Sequence, residues 1–174
     1  MADTATAVQF VLRQEDSRLS GEVTTLPGDR GGRTRFGLAE RFHPDLTKSG
    51  YFDDTEYDKA LTIAEQVYAE QYAGPLMLDG VQSQDVANRL LSFAINEGPP
   101  EAITLAQRAC KSLGCSIADD GKMGPASLAA LNSLDPLAWL AANRAQQEAF
   151  YRHLVTTQPK LLPELQGLLN RADA

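Results

Sequence analysis

VLRQEDS, from Val11 to Ser17, is followed after a short polar stretch by PGDRGGRTRFGL, from Pro27 to Leu38. Val8, Val11 and Leu12 fall on one side of a 3.6-residue period, which predicts a helix over Ala7–Gln14 that ends close to Glu15. Leu19 to Gly37 is polar and holds five glycines, the composition of a hairpin or long loop with room for a small β element. A lone carboxyl at a helix end, ahead of a tight turn carrying Asp29 and Thr34, would suit glycosidic-bond hydrolysis. One acid would protonate the leaving oxygen, while a carboxylate and a hydroxyl held a water on the opposite sugar face.

Outward from this stretch the chain reads as helices. Ala60, Ile63, Ala64, Val67 and Tyr68 predict a helix over Asp54–Tyr72, with Thr55 or Asp54 as its cap. Val86, Leu90, Leu91, Phe93 and Ala94 predict a core helix over Gln84–Ala94; Ala102, Ile103, Leu105, Ala106, Ala109 and Cys110 predict another over Pro100–Leu113. A short helix over Pro125–Leu131 opens on proline, and a longer one runs from about Pro136 to Val155. With no internal repeat and no flexible linker, the expectation is a single compact, mainly α body.

Composition narrows the function. With 174 residues the chain can bury one sizeable core, and 43% hydrophobic with 22% charged residues is ordinary for a globular protein. A net charge of −7 argues against nucleic-acid binding, which draws its affinity from clustered Lys and Arg. The same acidity is awkward for an enzyme of the anionic cell wall, where local contacts in a cleft would have to replace long-range attraction. The first residues, MADTATAV, show no export signal, and no apolar run reaches the roughly 20 residues of a membrane span. Cys110 and Cys115 read as buried free thiols. His43 and His153 lie far apart with no accompanying ligand cluster, so no metal site is expected. No serine-hydrolase elbow, P-loop or dinucleotide fingerprint is present.

Each candidate has a plainer alternative: a surface glutamate for Glu15, an Asx-type turn for Asp29 and a strand or turn hydroxyl for Thr34. A second glycine cluster, DDGKMGPASLAAL from Asp119 to Leu131, reads as a helix-turn-helix packing unit, and it lacks the acidic ligand pattern of a Ca²⁺ loop.

The chain resembles the lysozyme-like glycoside hydrolase family 108. Glu15 followed by DRGGRTRFGL, Asp29 to Leu38, is similar to that family's E-G-G … D-x-G-G-x-T-x-x-G-I signature. YAEQYAGPL, Tyr68 to Leu76, resembles its Y-x-x-x-Y-W-x-P-L segment. SFAINEGP, Ser92 to Pro99, and AQRA, Ala106 to Ala109, resemble F-A-V-N-S-G-P and L-Q-R-A. DGKMGPASL, Asp120 to Leu128, is similar to D-G-x-x-G-P-x-T-L of the peptidoglycan-binding part. More loosely, Arg144 to Tyr151 and QGLLNR, Gln166 to Arg171, resemble an arginine-to-tyrosine helix and G-W-L-N-R.

The resemblance implies a mainly α lysozyme-like fold with a small β or loop region at the cleft. Residues from about 1 to 98 would form the catalytic part, and about 99 to 174 an integrated helical, peptidoglycan-binding-like part. It implies an N-acetylmuramidase of the phage endolysin or secretion-associated kind, cleaving the β-1,4 bond between N-acetylmuramic acid and N-acetylglucosamine. Glu15 would be the catalytic acid, Asp29 and Thr34 would hold the water, and Tyr72 and Asn96 would touch the glycan. No cofactor is expected. The partner would be the glycan strand; the protein would be a monomer made in the host cytoplasm, free of stable membrane insertion, and would reach the wall after holin-dependent release. The competing expectation is a non-catalytic peptidoglycan-binding or secretion-accessory protein that retains the fold.

Three departures stand out. Asp16 and Ser17 replace the two glycines after the acid, and a second carboxylate there is expected to raise the pKa of Glu15 further. Ala73 and Leu168 stand where the family has tryptophans, removing aromatic surface from either the core or a sugar-stacking wall.

Overall fold

A computed structural model describes residues 1–25, 32–53 and 55–173. Helix α1, Thr4–Glu15, starts where the Asp3 carboxylate accepts the Thr6 N–H at 2.6 Å. It buries Ala7, Val8, Val11 and Leu12, the predicted stripe, and is longer than predicted at both ends. Its last residue is Glu15.

Strands β1, Thr34–Arg35, and β2, Leu38–Ala39, pair antiparallel, with Thr34 opposite Ala39 and Arg35 opposite Leu38. Phe36 and Gly37 form the turn between them, both with positive φ (49° and 77°), as the tightest hairpins require. Thr24 adds an isolated bridge to Thr34. The hairpin is pinned from beneath by the buried Arg35, whose Nε donates to Gly21 O at 2.8 Å. The same guanidinium donates to Tyr51 O at 3.0 Å and Thr55 O at 2.8 Å, and lies 5.6 Å from the Tyr51 ring centre. On its rim Arg33 pairs with Glu40 at 2.8 Å and with Asp53.

A short helix α2, Pro44–Lys48, leads to α3, Tyr57–Val67. The single predicted helix over Asp54–Tyr72 is therefore two elements, and its start is corrected. Asp54 lies outside the described residues. Thr55 is used elsewhere, its hydroxyl donating to Gly50 O at 3.0 Å and its carbonyl accepting from Arg35, so α3 starts after Glu56 with no side-chain cap. Beyond Val67 the chain widens into a π-helix, Tyr68–Ala73, before the brief α4, Gly74–Leu76.

The rest is a helical bundle: α5, Gln84–Glu97; α6, Pro99–Ser112; α7, Pro125–Asn132; α8, Pro136–Thr157; and α9, Leu165–Asp173. Helix α5 is central, packing on α1 at one side and on α6 and α8 at the other, while α9 folds back onto α8. Phe93 of α5 meets Phe150 and Tyr151 of α8 with ring centres 5.8 Å apart, and Trp139 is wholly buried. Each large side chain so buried contributes about 1.5–3 kcal/mol. Cys110 is buried and Cys115 half-buried, both as free thiols; burial raises the Cys110 thiol to about 11. No described helix is long and apolar enough to cross a membrane.

The second glycine cluster is a packing unit, as expected. The buried Gln107 donates to Asp120 Oδ1 at 3.0 Å, Lys122 O at 3.0 Å and Ser127 Oγ at 2.9 Å, and accepts the Gly121 N–H at 3.0 Å. Gly121 has φ +70°, and a Cβ there would stand 3.0 Å from both Pro100 O and Thr104 Oγ1. Ala73 and Leu168, at the two former tryptophan positions, are also buried (2% and 8% exposed), so in this chain both belong to the core.

Replacing Arg35 by Met would leave three inward carbonyls without their donor. We expect a loss of about 3 kcal/mol, read as a lower denaturation midpoint at unchanged slope in urea unfolding.

Candidate active site

The site is assembled around Glu15. Helix α1 ends there because Asp16, Ser17 and Arg18 turn away from it: the Asp16 N–H closes the last turn on Leu12 O at 2.8 Å, and Leu19 N–H then reaches Asp16 O at 2.8 Å. The Asp16 carboxylate accepts from the Gly21 N–H at 2.9 Å and from Ser20 Oγ at 3.2 Å. These bonds hold it below the usual carboxylate range. Asp16 therefore ties down the loop that the family's glycines would leave free, and the expectation that it raises the pKa of Glu15 is corrected.

Burial raises Glu15 instead, opposed by the positive charge of Arg171. Its position in the last turn of α1, at the negative end of the helix dipole, acts in the same direction as burial. Glu15 is exposed to solvent as a residue, while the protein atoms gathered around its carboxyl desolvate it. The hairpin supplies part of the crowding. A Cβ built on Gly37 would lie 2.7 Å from Glu15 Cβ, 2.8 Å from Glu15 Cγ and 2.5 Å from the Tyr68 hydroxyl. Only a glycine lets the hairpin tip sit this close.

Tyr68, fully buried on the π-helix, donates to Phe36 O at 2.8 Å. Tyr72 lies beside it, ring centres 5.7 Å apart. Burial raises both phenols, and the negative charge of Glu15 raises them further, so both remain neutral donors over the physiological range. The structure thus brings Tyr72 to Glu15.

Thr34 stands on β1, its main chain bonded to Thr24 in both directions (2.8 and 2.9 Å). Asp29 lies outside the described residues. Asn96, on the last turn of α5, donates through Nδ2 to Ser92 O at 2.9 Å and lines a small cavity together with Tyr151 of α8 and Arg171 of α9.

Arg171 is the residue that the sequence reading does not single out. Its charge acts on Glu15, on Glu97 and on Tyr151. Burial raises Glu97, and Arg171 offsets part of that rise. Helix α9 is held in place by its buried Leu168 and Ala172, and Arg89 of α5 donates to Ala172 O. The arginine of QGLLNR is the available sequence signal, but no spacing rule connects it to a residue at the other end of the chain.

The family model for glycosyl hydrolase 108 matches residues 8–98, and a second model, described as a predicted peptidoglycan domain, matches residues 101–173. The chain belongs to the glycosyl hydrolase 108 family. It is a glycoside hydrolase that acts on peptidoglycan, and every described site residue up to Asn96 falls within the first match, whereas Arg171 falls within the second. Among solved structures, that of Brucella abortus SagA is similar in fold at 21% sequence identity, with a TM-score of 0.63 over 97% of this chain and 92% of that one. No curated protein matches the chain.

Substituting Gly37 by Ala would force a Cβ into the Glu15 side chain at a backbone angle that L-residues resist. We expect a fall in turnover of roughly 100-fold, the scale set by misplacing a catalytic group by about 1 Å. Retained helical circular dichroism would show that the loss is local.

Proposed function

We propose that this glycosyl hydrolase 108 protein is an N-acetylmuramidase, cleaving the β-1,4 bond between N-acetylmuramic acid and N-acetylglucosamine with Glu15 as the general acid. The observation that supports this most is the environment of Glu15. A carboxyl raised by desolvation, at the end of a helix and pressed by a glycine at a hairpin tip, holds its proton to higher pH than a free glutamate while the residue remains exposed to substrate. A protonated carboxyl is what a departing glycosidic oxygen needs.

In this reading Asp29 and Thr34 orient the attacking water, on the strength of their place in the glycine-rich motif. Tyr72 carries a neutral hydroxyl beside the acid and offers a donor and a ring edge to the sugar. Asn96 stands on the α5 side, its amide nitrogen engaged by Ser92 O and its carbonyl oxygen suited to a sugar hydroxyl. The chemistry proposed uses these side chains and water, without a metal or organic cofactor. The endolysin role, a monomeric state, synthesis in a host cytoplasm and release through a holin-opened membrane are proposed on the resemblance to phage lysozymes.

Glu15→Gln keeps the shape of the side chain and removes its proton. We expect hydrolysis of purified peptidoglycan to fall by at least about 100-fold with folding unchanged, the usual scale for losing a general acid. Mass spectrometry of the wild-type products should show N-acetylmuramic acid at the new reducing ends. Lysis by Glu15→Gln at the wild-type rate would sink the assignment.

Arg171 gives a pH test. Its positive charge favours the ionised form of Glu15, so removing it raises the pKa, and the acid stays protonated to higher pH. The alkaline limb of the activity profile should therefore move up in Arg171→Gln and return toward wild type in Arg171→Lys.

A further inference from the structure

A groove of about 410 Å³ runs along the seam between the two family-matched parts. Phe10 and Gln14 of α1 form one wall, α5 the floor, and Leu140 and Arg144 of α8 the other wall. Nothing in the hydrolytic reading uses it.

The groove's wall on α1 ends one residue before Glu15. Gln14 is the residue before the acid, and its Oε1 accepts from Ser92 Oγ of the floor at 2.8 Å. Ser92 and Arg89 line both the groove and the small cavity that holds Asn96 and Arg171, and Arg171 acts electrostatically on Glu15. Groove and cavity therefore share two lining residues, and the cavity holds the arginine whose charge acts on Glu15.

Its charges are unlike those of the chain as a whole. In a protein of net charge −7, the groove is lined by two arginines, Arg89 and Arg144, and one acid, Asp85. Both arginines are oriented by their own contacts, Arg89 by Ala172 O and Arg144 by Glu148 at 3.3 Å, which reduces the ordering that a ligand would have to impose. Guanidinium groups suit carboxylates. Phe10, 36% exposed, and Leu140 offer apolar surface between the charges.

We infer that this groove binds the peptide stem of peptidoglycan, the short chain that hangs from the lactyl group of N-acetylmuramic acid. The stem carries free carboxylates for Arg89 and Arg144, an amine on its diamino acid for Asp85, and alanine methyls for Phe10 and Leu140. Its length fits as well. Ser92 and Asp85 are seven residues apart on α5, about 10 Å at 1.5 Å per residue. Three extended peptide residues span about 10 Å. A glycan placed with its scissile bond at Glu15 would then present its stem to the groove, so the two parts together would read the peptide at their seam while the N-terminal part cuts the sugar.

This inference rests on the muramidase reading for the position of the glycan, and its test keeps the two apart. Binding is measured by titration calorimetry on the Glu15→Gln protein, which would not turn its ligand over, with a disaccharide-tripeptide and the same disaccharide lacking its peptide. The tripeptide form should bind at least tenfold tighter. Ala141→Trp, which fills the groove from an exposed position, and Arg144→Gln, which removes its charge, should each bring the ratio toward one with the fold retained by circular dichroism. Equal affinities for the two ligands, no binding of either, or a ratio that survives both substitutions would overturn the proposal. Peptidoglycan hydrolysis by the wild-type protein, followed in parallel, reports on the muramidase reading alone.

Discussion

The approach of Gly37 to Glu15 is the contact on which the cleft depends. A hairpin tip pushed onto the end of a helix must give up a side chain at the point of contact, and it must be kept from springing back. The missing Cβ of Gly37 meets the first demand, and the Tyr68 hydroxyl, bonded to Phe36 O at 2.8 Å, meets the second. Arg35 then fixes the base of the same hairpin by reaching three carbonyls from two separate segments, the loop after α1 and the connection between α2 and α3. Charged donors make stronger hydrogen bonds than neutral ones, and a buried guanidinium without them would be costly, so the hairpin has one seating. What the seating achieves is desolvation of a carboxyl that an isolated helix end would leave in water.

Asp16 shows how a departure from a family pattern is absorbed. Two glycines after the acid would give the loop freedom; Asp16 and Ser17 restrict it, and the Asp16 carboxylate becomes the anchor for Ser20 and Gly21. Gly21 is the same residue whose carbonyl receives Arg35, and a Cβ on it would strike the Phe36 ring at 2.6 Å. The substituted segment therefore connects the end of α1 to the hairpin through Gly21. Ionised and hydrogen-bonded, Asp16 works on backbone geometry rather than on the proton affinity of its neighbour.

Much of this was open to reading in the sequence, because apolar period and caps are local. Val8, Val11 and Leu12 place α1, and Leu90, Leu91 and Ala94 place α5, each within a few residues of its observed ends. The π-helix at Tyr68–Ala73 was not legible: the apolar pattern runs through it without a break, and its first residue, Tyr68, is bonded to the hairpin by a contact between distant parts of the chain. Helix α9 carries a faint local signal and docks through α8 and the Arg89 contact to Ala172 O. The site divides in the same way. Glu15 and Thr34 are singled out by one motif in the sequence, whereas Arg171 acts on Glu15 through tertiary folding, which no spacing rule encodes.

That folding also answers the difficulty raised by the charge of the chain. An enzyme of net charge −7 is repelled at long range by an anionic wall, and within about a Debye length of 8–10 Å that field gives way to local charge. On the side formed by α5, α8 and α9, Arg89, Arg144 and Arg171 stand among the acids Asp85, Glu97 and Glu148, and Arg144 and Arg171 are supplied by the C-terminal part. An N-terminal part cut away at residue 98 would keep Glu15, Gly37 and Tyr68 but lose Arg144 and Arg171, and with them most of the cation density near the acid. The C-terminal helices thus take part in the electrostatics around Glu15: they supply Arg171, whose charge acts on that carboxyl from the far end of the sequence.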